Sequence, residues 1–356
     1  MTMARKYVYR PGEAGVFHCI NRCVRRAFLC GWDDYSGKSF EHRREWVRER
    51  VKELCGIFAL DVCAYAVMSN HVHLVVRTRP EVVSGWSDEE VARRWLRLCP
   101  GRKDPLAVAG AEDVRLEVLL KDVEKLKACR ERLGNLSWFM RGLSEQIARR
   151  ANEEDGCKGR FWEGRFKCQR LADAGAVAAC MAYVDLNPVR ADLAEDAGGE
   201  RVLRGGGPAA GTAGKKAELA AWEACGWEES KATEAQKRML EKARGEVERA
   251  RWLSPVDGEE GGVLGMSEER YLRLVDWTGR HLREDKAGAI PADLAPVLER
   301  LELDVENWLS TVERYGSLYH RVAGNVEKLR EAAQRVGQRW FRRRDREGCA
   351  GVYRVA

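Results

Sequence analysis

The residues best placed for chemistry are two histidines that lie one residue apart in an apolar, strand-like stretch. His71 and His73 stand in the run NHVHLVV at positions 70–76. Because successive side chains of a strand alternate between its faces, a strand here projects both imidazoles from one face and Val72 and Leu74 from the other. Two neighbouring imidazoles can bind one divalent metal ion. The alternative is a pair of polar residues on the solvated face of a half-buried strand.

Length and composition limit the classes of protein to which the chain can belong. Its 356 residues are enough for a sizeable core and for two domains, and 45% hydrophobic with 33% charged residues is ordinary for a soluble protein. No apolar run approaches the length of a membrane span, and the opening MTMARK lacks the apolar segment of a signal peptide. We therefore expect a cytoplasmic protein without a membrane partner.

Cysteine spacing and net charge narrow the classes further. The twelve cysteines are scattered, and the closest approach, from Cys19 to Cys23, has no second matching pair. This spacing argues against a zinc module and against a disulfide framework, and it favours reduced thiols. The net charge of +6 permits a nucleic-acid partner without requiring one.

The order of the predicted elements indicates an α+β fold with an antiparallel sheet. Residues 15–24 and 58–69 are strand-like, the histidine strand follows them, and residues 38–55 have a helical period. The short link at Ser69 and Asn70 predicts a hairpin or a bend. Further helices are predicted at residues 87–98, 112–131, 136–151 and about 173–186.

A segment at residues 156–167, GCKGRFWEGRFK, alternates basic residues with aromatics and glycines. Bases stack on aromatic faces and phosphates pair with lysine or arginine, so this composition suits single-stranded nucleic acid. The alternative is a solvated strand with a buried phenylalanine–tryptophan pair. The residues that would contact nucleic acid are Arg160, Phe161, Trp162, Arg165 and Lys167.

The helix predicted at about 173–186 carries a tyrosine and an asparagine one turn apart. Tyr183 and Asn187 stand at i and i+4, hence on one helical face. Pro188 cannot continue a helix comfortably and biases its predecessor away from helical dihedral angles, so we expect the helix to end there. A lone tyrosine on a helix is usually a packing residue, and the local sequence alone does not assign it chemistry.

The second half of the chain has a different composition. Residues 197–217 are rich in glycine and alanine, which indicates a linker or a flexible loop. A charged helix is predicted near 232–251, and the chain from Ser267 onward has a wholly helical pattern. The tail at 335–344 is basic with two aromatics and suits either phosphate binding or a solvated face.

Three motifs in order point to one known family. They are NHVH at 70–73, GRFWEGRF at 159–166 and YVDLNPVRA at 183–191, together with the opening stretch from Pro11 to Arg22. This combination resembles the REP-associated tyrosine transposases, which belong to the HUH (His-hydrophobic-His) enzymes that act on single-stranded DNA with one catalytic tyrosine. The resemblance covers roughly residues 5–195, and the rest of the chain exceeds the minimal family core.

The resemblance implies a role for each matched residue. His71 and His73 would bind a divalent metal ion, Mg²⁺ or Mn²⁺, and Tyr183 would be the nucleophile that forms a 5′-phosphotyrosine bond. Some relatives supply a third metal ligand one helical turn after the tyrosine, where this sequence has Asn187. The implied fold is the HUH nuclease fold, a ferredoxin-like antiparallel sheet with helices on one face. The implied partner is single-stranded or hairpin DNA.

These expectations combine into one organisation of the chain. Residues 1–195 would form the catalytic domain with a helical insertion at about 80–135, 196–265 a glycine-rich linker and charged helix, and 266–356 a helical C-terminal domain. The expected activity is the nicking and rejoining of hairpin DNA from palindromic repeats. Two alternatives keep the same residues: a non-cleaving hairpin-DNA-binding protein or repressor, and a metal phosphodiesterase that uses a water instead of Tyr183.

Overall fold

The computed structural model describes the larger part of the chain. The described stretches are residues 8–24, 28–33, 35–100, 111–190, 252–256, 262–282, 294–301 and 303–337. The predicted linker and charged helix at 196–265 lie largely outside these stretches, and so does the basic tail beyond residue 337. Within the stretches, no helix combines the length and the apolar character that crossing a membrane requires.

The chain divides into two compact units. The first comprises Met1–Asp61, Val67–Val72 and Val76–Cys168. The second comprises Val62–Ala66, His73–Val75 and Gln169–Ala356. Three strands contribute residues to both units.

A mostly antiparallel sheet of five strands, in the mixed α+β fold that the sequence predicts, is the central element. The strands of this sheet are β1 (Gly15–Arg22), β4 (Leu60–Val67), β5 (His71–Thr78), β6 (Lys167–Leu171) and β7 (Val322–Ala323). Two short strands outside it are β2 (Trp32–Asp33) and β3 (Lys38–Ser39). The sheet order is β4-β5-β1-β6-β7, and β2 and β3 form a separate antiparallel pair. β6 and β7 run parallel, with Arg170 opposite Val322 and Leu171 opposite Ala323.

The hairpin between β4 and β5 is confirmed. The N–H of Met68 donates to the carbonyl of His71 at 2.8 Å, which closes a two-residue turn at Ser69 and Asn70. β5 is buried on both faces from residue 72 to residue 76. Because the His73 side chain is only 2% exposed, the solvated-face alternative for this histidine is wrong.

Helices of the first unit pack against one another. They are α1 (His42–Cys55), α2 (Pro80–Gly85), α3 (Asp88–Leu98), α4 (Ala111–Lys121), α5 (Val123–Leu133) and α6 (Leu136–Glu154). α1 packs on α6, and α3 packs on α4 and α5. The predicted apolar stripe of α6 is confirmed, since Leu136, Phe139, Met140, Leu143 and Ile147 are all buried.

One predicted helix of this unit is two helices. The pattern at 112–131 predicts a single element, but the chain breaks at Asp122, between α4 and α5. The Asp122 carboxylate accepts the N–H of Lys125 at 3.0 Å and caps the second helix. A short polar side chain that satisfies a new helix start competes with continuation of the old helix.

The second unit is mostly helical beyond β6. Its helices are α7 (Ala174–Arg190), α8 (Glu268–His281), α9 (Ala295–Arg300), α10 (Val305–Leu318) and α11 (Val326–Arg335). α7 packs against α8 and α10. The wholly helical pattern after Ser267 is wrong at β7, where two apolar residues complete the sheet beside β6.

The predicted end of α7 at Pro188 is also wrong. The helix runs through Pro188 to Arg190. A proline lacks the N–H that bonds to the carbonyl four residues earlier, but in the last turn only one such bond is lost and few residues follow. Asn187 is therefore helical and stands one full turn after Tyr183.

Candidate active site

His71 opens β5 and is held by its neighbour in sequence. Its Nδ1 lies 2.7 Å from Oδ1 of Asn70, and because a carboxamide oxygen only accepts, Nδ1 carries the proton and Nε2 the lone pair. Burial, with smaller contributions from the positive charges of Arg22 and Lys167, lowers the pKa of His71 to about 4. The imidazole is thus neutral near pH 7, which is the form that binds a metal ion.

His73 lies two residues further along β5 and contacts helix α7. Its ring meets the ring of Tyr183 edge to face, with centroids 5.7 Å apart and an interplanar angle of 84°. The amide Nδ2 of Asn187 lies 3.3 Å from Nε2 of His73. Tyr183 and Asn187 therefore share the face of α7 that contacts His73, as the i, i+4 spacing predicts.

The groups around His73 suit a small divalent cation. A half-turn of the Asn187 amide exchanges its nitrogen for its oxygen, a hard ligand of the kind that Mg²⁺ prefers. Neighbouring ligands of an octahedral ion at about 2.1 Å lie roughly 3 Å apart, close to the 3.3 Å between Asn187 and His73. In the described part of the chain, no group of three histidine, cysteine, aspartate or glutamate side chains is placed to hold a metal.

A buried acid–tyrosine pair joins α7 to α8, and sequence reasoning missed it. Asp185 is fully buried, and its Oδ2 accepts a hydrogen bond from the hydroxyl of Tyr271 on α8 at 2.6 Å. Burial raises the pKa of Asp185 to about 7, against a smaller lowering by the Tyr271 hydrogen bond. A single acid among the small apolar residues of α7 was the available signal. The pair links the helix of Tyr183 to the C-terminal region.

Two neighbouring aromatic residues of the segment 156–167 are buried, and the third, Phe166, is partly exposed. Phe161 and Trp162 are 4% and 8% exposed, and their rings meet edge to face at 5.0 Å. The indole N–H of Trp162 donates to the carbonyl of Ser144 on α6 at 2.8 Å. The sequence left open, as an alternative, a solvated strand with a buried phenylalanine–tryptophan pair. The structure has the pair, but the strand begins only at Lys167.

The cations of the same segment face solvent. Arg160, Arg165 and Lys167 are exposed. Lys167 and Arg22 are close enough to His71 to lower its pKa. Positive charge therefore lies beside the first histidine of β5, where an anionic backbone would be attracted.

Similarity between this chain and known proteins is distant. No family model matches the chain, and no curated protein matches it. Among solved structures, it is similar to a REP-associated tyrosine transposase bound to a REP hairpin, with 13% identity and a TM-score of 0.30 over 54% of this chain and 74% of that chain.

Proposed function

We propose that this protein cleaves and rejoins one strand of DNA through a covalent 5′-phosphotyrosine at Tyr183. The observation that carries the proposal is the double contact of His73, with the Tyr183 ring at 5.7 Å and with the Asn187 amide at 3.3 Å. It joins a possible nucleophile to two groups of the kind that bind a divalent ion.

In the proposed reaction the Oη of Tyr183 attacks the scissile phosphorus. The bond from phosphorus to the 3′ oxygen breaks, and that oxygen leaves as a hydroxyl while the phenol gives up its proton. One phosphate ester replaces another, so the 3′-hydroxyl of a second strand can attack the phosphotyrosine and restore a phosphodiester. The exchange needs no nucleotide cofactor.

We assign a divalent metal site, for Mg²⁺ or Mn²⁺, to His71, His73 and Asn187. A bound ion would polarise a nonbridging phosphate oxygen and stabilise charge that develops during the attack. The two histidines stand at alternate positions of β5. The hydrogen bond between Asn70 and His71 supports the assignment, because metal-binding histidines usually donate their other ring N–H to such a partner.

We assign DNA contacts to the exposed cations of the segment 156–167. Arg160, Arg165 and Lys167 would pair with backbone phosphates of single-stranded or hairpin DNA. Since Phe161 and Trp162 are buried, we propose that they hold the segment against α6 rather than stack on bases.

We infer a ferredoxin-like arrangement for the sheet. The chain order β1-α1-β4-β5-α6-β6 is the β-α-β-β-α-β succession of that fold, and the strand order β4-β5-β1-β6 puts its first and third strands side by side. Helices α2 to α5 then form an insertion between β5 and α6, close to the predicted 80–135. The domain limits at 195 and 265 stay predictions.

A labelled hairpin oligonucleotide with single-stranded flanks tests the proposed reaction on a denaturing protein gel with Mg²⁺ or Mn²⁺. The wild-type protein should retain the fragment 3′ of the cut. Tyr183→Phe should lose cleavage and label but keep Mn²⁺ binding, whereas His73→Ala should lose both cleavage and Mn²⁺ binding. Tyr35→Phe, at a 92% exposed position, is the matched control and should behave as wild type.

Two outcomes of this assay contradict the proposal and identify what replaces it. Cleavage without a covalent label, in wild type and Tyr183→Phe alike, would identify a metal phosphodiesterase. No cleavage in either metal, together with tight hairpin binding in a native gel shift, would identify a non-cleaving DNA-binding protein.

A further inference from the structure

Helix α10 lies against the proposed nucleophile, although it belongs to the C-terminal region outside the stretch that resembles known transposases. We propose that Tyr315 and Gly316 of α10 are positioning residues that fix the ring and the hydroxyl of Tyr183. The catalytic role of these two residues rests on the proposed function of Tyr183. Their packing against Tyr183 does not depend on that function.

The ring of Tyr183 is held between two other rings. Tyr315 stacks on it with centroids 5.3 Å apart and an interplanar angle of 28°. His73 meets it at 84°. Stacked and edge-to-face contacts are both favourable aromatic geometries, and together they restrict rotation and tilt of the Tyr183 ring.

Tyr315 is itself fixed to the sheet. Its side chain is buried, and its hydroxyl donates to Oε1 of Gln169 at 2.9 Å. Gln169 is a buried residue of β6. The stack on Tyr183 is therefore anchored to a strand, and α10 supplies a fixed surface rather than a mobile side chain.

Gly316 provides the space that the Tyr183 hydroxyl occupies. A Cβ at this position would lie 3.0 Å from the Tyr183 Oη and 3.6 Å from its Cζ. Gly316 is not among the glycines with a left-handed backbone in the described residues, so its backbone torsion angles do not explain the choice. Glycine is a poor helix former, and room for the phenol hydroxyl is the reason the structure offers for it here.

Such fixing matters more for the rate of attack than for binding. In-line attack on phosphorus needs the nucleophilic oxygen at a defined place, and a displacement of about 1 Å can cost about 10²-fold in rate. The DNA backbone is held by other residues in the proposed site. A change at Gly316 should therefore lower the rate constant for adduct formation and leave hairpin affinity unchanged.

Gly316→Ala is the direct test. At saturating hairpin DNA and well below the melting temperature, its adduct should form several-fold more slowly than in wild type, with a Kd within twofold. Gly85→Ala is the matched control, since a Cβ at Gly85 meets nothing within 4 Å, and it should match wild type. Tyr315→Phe keeps the ring but loses the anchor to Gln169 and should have an intermediate rate, whereas Tyr315→Leu should lose most of it. A wild-type rate for Gly316→Ala would overturn the inference.

A melting-temperature cycle tests the packing even if no adduct forms. Tyr183→Phe removes the oxygen that a methyl group at position 316 would meet. Gly316→Ala should therefore raise the melting temperature more in the Tyr183→Phe background than in wild type. An equal change in melting temperature in both backgrounds would overturn the positioning contact. If the change is larger in the Tyr183→Phe background but the wild-type protein forms no adduct, the packing stands and only the proposed function is refuted.

Discussion

Replacing Arg43 by methionine should strongly destabilise the first compact unit, because Arg43 is a buried cation near the start of α1. Its side chain is 1% exposed, and its Nε lies 2.6 Å from Oε2 of Glu154. Its Nη2 also pairs with Asp155, and its Nη1 donates to the carbonyl of Phe28 at 2.9 Å. The guanidinium lies 4.1 Å from the ring centroid of Phe40. Two of these partners end α6, so the cation also faces the negative end of that helix.

The loss of stability depends on the two carboxylates that lose their cation when Arg43 is replaced. Removing one member of a buried ion pair costs about 3–5 kcal/mol, mostly because the other charge is left uncompensated. The side chains of Glu154 and Asp155 are 33% and 28% exposed, so water can reach them, and methionine keeps an apolar stem in place. We therefore expect the lower end, about 3 kcal/mol, which lowers Tm by about 6–12 °C in a domain of 150–250 residues.

Thermal unfolding followed by circular dichroism measures this loss. Arg93→Met is the matched control, because Arg93 forms an exposed ion pair with Glu89 on α3 of the same unit. Exposed pairs contribute about 0–1 kcal/mol, so the control should shift Tm by no more than a few degrees. A shift for Arg43→Met no larger than that for Arg93→Met would refute the reasoning that burial makes this cation important.

Three further predictions concern other parts of the structure. Arg165→Ala should reduce the slope of log K against log salt for hairpin binding by about one if it contacts one phosphate, and an unchanged slope and affinity would make the residue structural only. Tyr271→Phe leaves the buried Asp185 without its hydroxyl donor and should cost about 1–3 kcal/mol in a denaturant titration; an unchanged midpoint would contradict that role. Burial raises the pKa of the Cys30 thiol to about 11, so its thiolate is scarce at pH 8 and its alkylation should accelerate as pH rises toward 11. Peptide mapping should find exposed Cys157 modified before Cys30, and equal rates at pH 8 would contradict the burial of Cys30.

Local patterns predicted the parts of the site that depend on one element. Alternation in β5 predicts that His71 and His73 share a face, and the i, i+4 spacing in α7 predicts that Tyr183 and Asn187 share one. The contacts of Tyr183 and Asn187 with His73 agree with the second prediction. Both rules depend only on the geometry of one strand or one helix. The same local reasoning ended α7 too early at Pro188, because the rule for proline ignores how few bonds remain in a last turn.

Contacts between distant residues could not be predicted in this way. Tyr271 and Asp185 are 86 residues apart, and Tyr315 and Gln169 are 146 residues apart. No periodicity encodes which helix a tyrosine will meet. The burial of Trp162 likewise depends on α6, whose Ser144 carbonyl accepts its N–H, while composition alone suits a stacking surface equally well.

Peptide mapping of the covalent protein–DNA adduct tests the central claim most directly. Trypsin releases residues 171–190 as one peptide, whose single tyrosine is Tyr183. After cleavage of hairpin DNA and nuclease trimming, mass spectrometry should find this peptide with one nucleotide phosphate attached through the tyrosine oxygen. A nucleotide on any other peptide, or efficient cleavage with peptide 171–190 unmodified throughout the time course, would contradict the assignment of Tyr183 as the nucleophile.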